Sequence, residues 1–506
     1  EYMVQDFSVV PPSTDLYAVM EIILGKRQRI VPVEEDGAII GVITRTDLVN
    51  LLIEEPARIP ESLMPERSRD RNIRSLMRNR LPRPMYDLLV SAGTLAQDEG
   101  AVAYAVGGFV RDILLGRKNL DLDLVIEGDG VAFARKLAER VGGRVKEHHK
   151  FKTAVVIFPD DSRVDVATAR LEYYEHPAAL PTVELSSIKM DLYRRDFTVN
   201  ALAVNLNPGS FGQLADFFGA QADIRDRVIR VLHSLSFVED PTRILRAVRF
   251  EQRFGFQIGG QTLKLIKNAL QLNLMTRLSG SRLFHELNMI MEEEHPLDSL
   301  RRLDELGVLP AIHPLLRLDD KREAIIEELD RVQGWYRLLF LDPAPVRWKL
   351  YFLGLCMGVK REEIQTILTR LGLTQREERD FLALRDAIAE ALSSLMGWDE
   401  KTSPLSRLYF TLDPLPVEGV LFLMAKSRKE QVRKHISQFL ANVRFKRLDI
   451  GGRDLKKLGL PPGPLYARIL RHVRTRFIDG FAPDRESQLS LARQLIRYPE
   501  LLDRGA

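Results

Sequence analysis

The stretch Asn119-Leu-Asp121-Leu-Asp123-Leu-Val-Ile-Glu127 restricts the fold of this chain more than any other. Its first six residues alternate strictly, which predicts a β-strand with Leu120, Leu122 and Leu124 on one face and Asp121 and Asp123 on the other. Two carboxylates side by side on an otherwise apolar strand repel each other. A bound Mg²⁺ removes the difficulty, because a hard cation takes carboxylate oxygens. Two-metal catalysis of nucleotidyl transfer uses such a pair to hold ions against an α-phosphate and an attacking 3′-hydroxyl.

The residues upstream supply a place for phosphate. From Met85, a helix marked by Tyr86, Leu89, Val90 and Leu95 leads to a strand over Val102 to Val106. Gly107-Gly108 follows, and Phe109-Val110-Arg111-Asp112 opens a second helix that ends near Gly116. Glycines at a strand-to-helix turn let backbone N–H groups approach an anion at the helix N-terminus. Most Gly-Gly pairs are only turns, but this one lies a dozen residues before the acidic strand. A third carboxylate is expected from Arg163-Val164-Asp165-Val166-Ala167, which follows the strand Thr153 to Phe158 across Pro159-Asp160-Asp161-Ser162. Alternation with Val164 and Val166 points Asp165 away from the core, as for Asp121 and Asp123. His148-His149 has no partners at ligand spacing and reads as a solvated turn.

Composition excludes several classes. With 506 residues, three to four domains are expected, and 74 Lys and Arg against 70 acidic residues leave a net charge of only +4, so any nucleic-acid surface must be local. One cysteine, Cys356, excludes a disulfide framework and every Cys-cluster metal site. No apolar run reaches the ~18 residues that span a bilayer, and the start carries no signal-peptide pattern, so a soluble cytoplasmic protein with no membrane partner is expected. The chain begins at Glu1 and enters a folded pattern at once, which leads us to expect an upstream portion.

Residues 1–58 read as a small α/β unit: a helix over Asp15 to Leu24, strands Arg29 to Val33 and Ala38 to Thr44 joined through Glu34-Glu35-Asp36-Gly37, and a closing helix over Thr46 to Ile53. This order, with Gly41-Val42-Ile43-Thr44 and Asp47, resembles a CBS motif. The resemblance implies nucleotide binding through Thr44 and Asp47, or self-association, since such motifs work in pairs; a purely structural unit is the alternative. Residues 59–83 form a Pro-rich linker with a basic helix, including Arg71, Arg74, Arg78, Arg80 and Arg83, readable either as solvated surface or as an RNA contact.

Gly107-Gly108-x-Val110-Arg111-Asp112 followed by Asp121-x-Asp123 resembles the head of the class II tRNA nucleotidyltransferases and bacterial poly(A) polymerases. Arg194-Arg195-Asp196-Phe197-Thr198-Val199-Asn200-Ala201 resembles the family's RRD motif, which implies arginine facing the triphosphate and Asp196 facing the ribose 2′-hydroxyl. Glu239-Asp240-Pro241-Thr242-Arg243 resembles its EDxxR motif. Asp240 and Arg243 share a face of a helix beginning near Pro241, either as an ordinary ion pair or, as the resemblance implies, reading the base of the incoming nucleotide. Ser281-Arg282-Leu283-Phe284-His285-Glu286-Leu287 matches a buttressing helix, with Arg282 and Glu286 structural. The fold implied is a mixed five-stranded nucleotidyltransferase sheet with flanking helices over 84–219, a helical neck over 220–300 and a helical body and tail over 301–506.

The segment Lys426 to Arg447 holds eight basic residues against one acidic, and Arg433, Lys434, Arg444 and Lys446 are its candidate RNA contacts. Ile450-Gly451-Gly452-Arg453-Asp454-Leu455 and Pro461-Pro462-Gly463-Pro464 resemble a tRNA nucleotidyltransferase tail rather than the basic tail of poly(A) polymerases. The resemblance therefore implies Mg²⁺-dependent transfer of AMP from ATP, and of CMP from CTP if both bases are accepted, to the 3′ end of tRNA. A CBS-like unit before such a head resembles the long enzymes that add only the terminal A. Poly(A) polymerase and a non-enzymatic RNA-binding or nucleotide-sensing protein are the alternatives.

Overall fold

The computed structural model describes residues 7–14, 18–19, 22–23, 28, 30–44, 47, 71–118, 121–148, 152–173, 182–185, 187–396 and 403–502, with backbone alone at 170–173, 182–185 and 396. The chain divides into two compact units, residues 1–286 with 305–312, and residues 287–304 with 313–506.

In the first unit, β1 (Ile30–Glu35) and β2 (Ala38–Thr44) form an antiparallel hairpin across Asp36 (φ 52°) and Gly37 (φ 80°). Left-handed φ at both central residues suits a two-residue turn, so β1 runs on through Glu34 and Glu35 rather than stopping at Val33 as expected. The expected helices over 15–24 and 46–53 lie outside the described residues, apart from Ala18, Val19, Ile22, Ile23 and Asp47.

β3 (Arg71–Asn72) lies within the stretch read as linker, and beyond it come β4 (Val102–Val106), β5 (Leu122–Glu127), β6 (Arg144–His148), β7 (Thr153–Ile157), β8 (Arg163–Thr168), a separate hairpin of β9 (Arg170–Tyr173) and β10 (Thr182–Leu185), then β11 (Ala203–Asn205) and β12 (Gln213–Ala215). One mixed sheet has the order β3-β12-β11-β4-β5-β8-β7-β6, antiparallel throughout except between β5 and β8. It has eight strands where five were expected. The sequence places β4, β5, β7 and β8; β6 ends at His148, where a solvated turn was expected, and β3, β11 and β12 are two or three residues long, too short for alternation to show.

The pleat decides what each face carries. Leu122 and Leu124 pack with Val164, Val166, Leu89, Ala92, Phe133 and Leu137, so the helices Arg83–Asp98 and Gly130–Val141 cover that face. Val125, of opposite parity, packs on the other face with Val106, Ile188 and Leu192 from the helix Ile188–Tyr193. Asp123 shares the parity of Val125, so the strand that buries its leucines turns this carboxylate toward the helix that leads into Arg194-Arg195.

The basic linker helix is Arg74–Arg80. Arg80 donates to the carbonyls of Ile113 and Leu114, at the C-terminal end of the helix Gly108–Leu115, and Arg74 lies over the Phe211 ring. These arginines serve the packing of the head, a cation at a helix C-terminus being favourable.

The second unit is helical, as expected. The helices Asp320–Arg337, Arg347–Leu355, Gln375–Met396 and Val417–Lys426 build its body, with Trp348, Phe352 and Phe381 in ring contact. A smaller core of Ile450, Leu455, Ile469, Val473 and Leu495 supports the tail. Among the described residues no helix is long and apolar enough to cross a membrane.

Candidate active site

One cavity of about 810 Å³ in the first unit gathers the motifs. Its wall carries Gly108 and Arg111 from the glycine turn, Asp121 and Asp123, the Arg194-Arg195-Asp196 run with Asn200, and Asp240 with Arg243. Eight arginines line it against five carboxylates, a cationic balance suited to a polyanion.

The glycine turn makes room for one of those arginines. Gly107 has φ 68° and ψ −131°, a conformation open to glycine alone, and a Cβ there would overlap the Arg195 guanidinium. Gly107→Ala is therefore expected to lower Tm by several degrees, strain of this kind costing ~1–3 kcal/mol, and to displace Arg195. An unchanged melting curve would contradict this. Arg195 donates through Nη2 to Asp191 (3.3 Å), while its buried Nε has no hydrogen-bond partner among the described residues and is an unmet donor at the cavity wall. Arg194 is held by the same Asp191 at 2.8 Å.

Arg111 and Asp112 behave differently from one another. Both are buried, and Arg111 donates through Nε and Nη2 to the Asp112 carboxylate (2.9 and 3.0 Å). Arg111 also donates to Asn200 Oδ1 and stacks over Phe254, 4.3 Å from the ring centroid. Arg111 reaches the cavity, whereas Asp112 and Gly107 are not on its wall and act by holding Arg111 and admitting Arg195.

The carboxylates meet across the parallel pair. Asp123 of β5 lies opposite Asp165 of β8, and Asp121 directly precedes β5. Asp123 opens onto the cavity but is surrounded by protein on its other sides. Desolvation pushes its pKa up to about 6, Arg195 opposing and Asp165, Asp121 and Asp191 adding to the rise. Desolvation and the charge of Asp121 likewise raise Asp165. Among the described residues no group of three or more His, Cys, Asp or Glu side chains is placed to hold a metal ion. The donors nevertheless fit Mg²⁺: they are hard oxygens whose mutual repulsion a cation relieves, and Mg²⁺ is usually held by one or two carboxylates plus water and substrate phosphate. His148 ends β6 and is exposed; His149 lies outside the described residues.

Asp196 is more heavily engaged than its motif suggested. Oδ1 accepts from the Phe197 N–H (2.8 Å) and Asn200 Nδ2 (2.9 Å), and Oδ2 accepts from Arg246 Nε (2.9 Å) and Nη2 (2.5 Å). Burial alone would raise this carboxyl, but Arg246 and Asn200 outweigh it and bring the pKa to about 2.

Pro241 caps the helix Thr242–Phe254, with Asp240 immediately before it. Asp240 Oδ1 accepts from the Thr242 N–H (3.0 Å) and pairs with Arg282 at 2.7 Å. Arg243 donates to Ser236 Oγ (2.7 Å) and, through Nη2, to the Arg194 carbonyl (3.0 Å). Asp240 and Arg243 thus come to the cavity side by side, each oriented by other residues. Beside them His233, buried and close to Arg243, is held neutral with its pKa down to about 3.

Sequence reasoning missed Arg246, Arg249, Phe250 and Arg253, all on the cavity wall. Their spacing of three and four along the EDxxR helix was the available signal. Glu286 accepts from Arg246 (3.4 Å) and Arg249 (3.5 Å) and Arg282 pairs with Asp240, and both residues also stand on the cavity wall. Of the tail candidates in the second unit, Lys434 and Lys446 are exposed and Arg444 is half-buried. Arg433 is paired with Glu328, which sets it apart from the other three. Asp454 of the tail motif accepts from the Gly451 N–H (2.9 Å) and pairs with Arg485 (2.6 Å).

Carboxylates on a mixed sheet beneath a wall of guanidinium groups define a nucleotidyltransferase head, and comparison with known proteins narrows the class. Residues 103–230 match the poly A polymerase head domain, 255–318 the probable RNA and SrmB-binding site of polymerase A, and 1–54 the CBS domain. The A-adding tRNA nucleotidyltransferase of Geobacter sulfurreducens is 43% identical over 98% of this chain, and that of Halalkalibacterium halodurans is 32% identical over 85% of it and 97% of its own length. A CCA-adding enzyme in an apo form superposes with a TM-score of 0.72 at 34% identity, covering 83% of this chain and 98% of that one. The chain belongs to the tRNA nucleotidyltransferase family. It spans 57% of the length of the Geobacter protein and 54% of the similar Aquifex aeolicus A-adding enzyme.

Proposed function

We propose that this chain transfers AMP from ATP to the 3′ end of tRNA that already ends in CC, releasing pyrophosphate, with Mg²⁺ as cofactor and in the cytoplasm where that substrate is processed. The observation that carries the reading is the convergence of Asp121 and Asp123 with eight arginines in one cavity. The similarity to A-adding relatives supports the choice of the terminal A. In the reaction the terminal 3′-hydroxyl oxygen bonds to the α-phosphorus as the bond to the bridging oxygen of the β-phosphate breaks.

Asp121 and Asp123 are the residues that would hold Mg²⁺, with Asp165 opposite Asp123 as the third carboxylate, off the cavity wall. Bound there, Mg²⁺ supplies Lewis-acid stabilisation of the charge that develops on the α-phosphate. Arg111, Arg194 and Arg195 hold the triphosphate, and the unmet Nε–H of Arg195 is one donor for it. Asp240 accepts from an exocyclic amino group while Arg243 donates to a ring nitrogen, a pattern that adenine and cytosine offer. Guanine and uracil present a carbonyl oxygen where the amino group should be. Arg282, Ser236 and the Arg194 carbonyl hold both side chains ready, so little order has to be gained on binding.

The test is incubation with tRNA ending at the discriminator base, at C or at CC, with each triphosphate in turn. AMP addition to the CC end alone is expected. Efficient CMP addition to the discriminator end would make the chain a complete CCA builder, and long A tracts on unrelated RNA would make it a poly(A) polymerase. For the tail, we expect substitution of Lys434, Arg444 and Lys446 by Gln to weaken tRNA binding and to reduce the slope of log affinity against log salt by roughly 0.7–0.9 for each phosphate that is no longer neutralised. Arg433→Gln is expected to change it less, because Glu328 already occupies that charge. Equal slopes in all variants would return this stretch to solvated surface.

A further inference from the structure

A second cavity, of about 320 Å³, lies inside the helical unit and shares no residue with the site above. Its wall is built from buried apolar side chains, among them Leu353, Ile364, Phe381, Ile388 and Phe422. Four helices supply them: Arg347–Leu355, Arg361–Arg370, Gln375–Met396 and Val417–Lys426. Cys356 lines the cavity too. Burial pushes its thiol up to about 12, so it stays neutral and extends the apolar wall.

The charged residues on this lining are all cations, Lys360, Arg385 and Lys426, and no carboxylate stands among them. Both lysines are exposed and Arg385 is half-buried, which puts the charge at the rim. Arg385 is engaged, donating to Asp386 Oδ1 (3.1 Å) and, through Nη2, to the Val359 carbonyl (3.3 Å). Lys426 is not so served: its ammonium donates to the Met357 sulfur at 3.0 Å, a weak acceptor. Desolvation, with Arg428 nearby, holds it below the usual lysine range. The turn that carries Met357 and Lys360 is fixed. Gly358 takes φ 81°, the Met357 carbonyl accepts from Arg322 Nε (3.2 Å), and the Val359 carbonyl is the one held by Arg385. The cavity is therefore shaped before any ligand arrives.

An apolar wall with cations on its rim suits a molecule that has an apolar body and one anionic end. At ~30 Å³ for each water-sized group, the volume takes roughly ten heavy atoms. We propose that this cavity binds a small amphipathic monocarboxylate of about that size, its apolar body among Phe381, Ile388 and Phe422 and its carboxylate against Lys426 at the rim. A mononucleotide is larger and would bring polar base edges against an apolar wall. The inference is independent of the nucleotide site.

The test is calorimetric titration of the full chain with octanoate, and with octan-1-ol, octylammonium and acetate for comparison, repeated on Lys426→Gln and Ala389→Trp with a melting curve for each. Ala389 is exposed and lines the cavity, so a larger ring there fills the space without disturbing the core. Octanoate should bind saturably, one molecule per chain. Octylammonium, which meets like charge at the rim, should bind roughly tenfold more weakly, and acetate, which lacks an apolar body, should give no measurable binding. Lys426→Gln should weaken octanoate roughly threefold, as for a partly exposed ion pair, and leave octan-1-ol unchanged. Ala389→Trp should weaken both by roughly tenfold or more, because the ring takes their place. No saturable heat with octanoate up to ~10 mM would overturn the proposal. So would octylammonium binding as tightly as octanoate, or octanoate affinity that neither substitution changes. Should Ala389→Trp fail to fold, Lys426→Gln decides: weaker octanoate with unchanged octan-1-ol supports the site, and equal affinities overturn it. Nucleotide transfer enters none of these readouts, so their outcome leaves the tRNA reading to its own test.

Discussion

Asp121→Ala or Asp123→Ala is expected to lower AMP transfer by roughly a thousandfold, since loss of a cation's stabilisation of the α-phosphate is worth several kcal/mol and each 1.36 kcal/mol is tenfold. Affinity for tRNA should stay near that of the unaltered chain, because in the proposed mechanism the carboxylates would hold a cation rather than the RNA. Stability should rise slightly or remain level. Asp123 sits among Asp165, Asp121 and Asp191, which together with its burial hold its pKa above the ordinary carboxylate range, so removing one charge relieves repulsion. The combination of lost rate and retained stability separates a catalytic carboxylate from a structural one. Transfer within tenfold of wild type in either variant would remove the assignment.

Asp240→Ala is expected to change which base is accepted, raising incorporation of G or U relative to A by roughly a hundredfold, because a site that loses a hydrogen-bonding group loses its means of rejection. The substitution also removes an acceptor of the Thr242 N–H, a loss of the kind that costs about 1 kcal/mol. Asp240→Asn separates the two effects. Its amide oxygen can still accept from Thr242, while its amino group donates toward the base and favours guanine or uracil, whose carbonyl oxygens accept. Measuring incorporation from each triphosphate with both variants checks this. Uniform slowing with unchanged base preference would show that Asp240 only buttresses the helix.

Much of the site was legible because it is encoded locally. Strict alternation before Glu127 was enough to predict the face that Asp123 occupies, and the same argument applied to Arg163 to Ala167 turned Asp165 away from the core; the structure sets it across from Asp123 on β8. The glycine turn was legible for a related reason: only glycine takes the backbone conformation of Gly107 without strain. What spacing could not reveal is pairing between distant segments. Asp240 and Arg243 suggested an i to i+3 pair, yet Asp240 is held by Arg282, forty-two positions away, and Arg243 by Ser236 and the Arg194 carbonyl. Arg246 reads as an ordinary polar position of an amphipathic helix until Asp196, fifty residues earlier in the chain, is found against it.

The same limit applies to charge. Arg80 and Arg433 belong to the two most basic stretches singled out in the sequence, but one closes the end of a head helix and the other is paired with Glu328. A count of basic residues cannot distinguish a charge spent inside the protein from one left for RNA. The short strands β3, β11 and β12 escaped detection because a period of two needs more than three residues to be seen.

The most direct measurement is a competition. A tRNA ending in CC is incubated with the chain, Mg²⁺ and all four triphosphates at equal concentration, and the product is weighed by mass spectrometry. The proposed reading, with Asp240 and Arg243 admitting A or C and the similarity to A-adding relatives favouring A, predicts a gain of a single AMP and no further growth. Addition of several residues, addition of any other nucleotide at comparable rate, or no addition would contradict it.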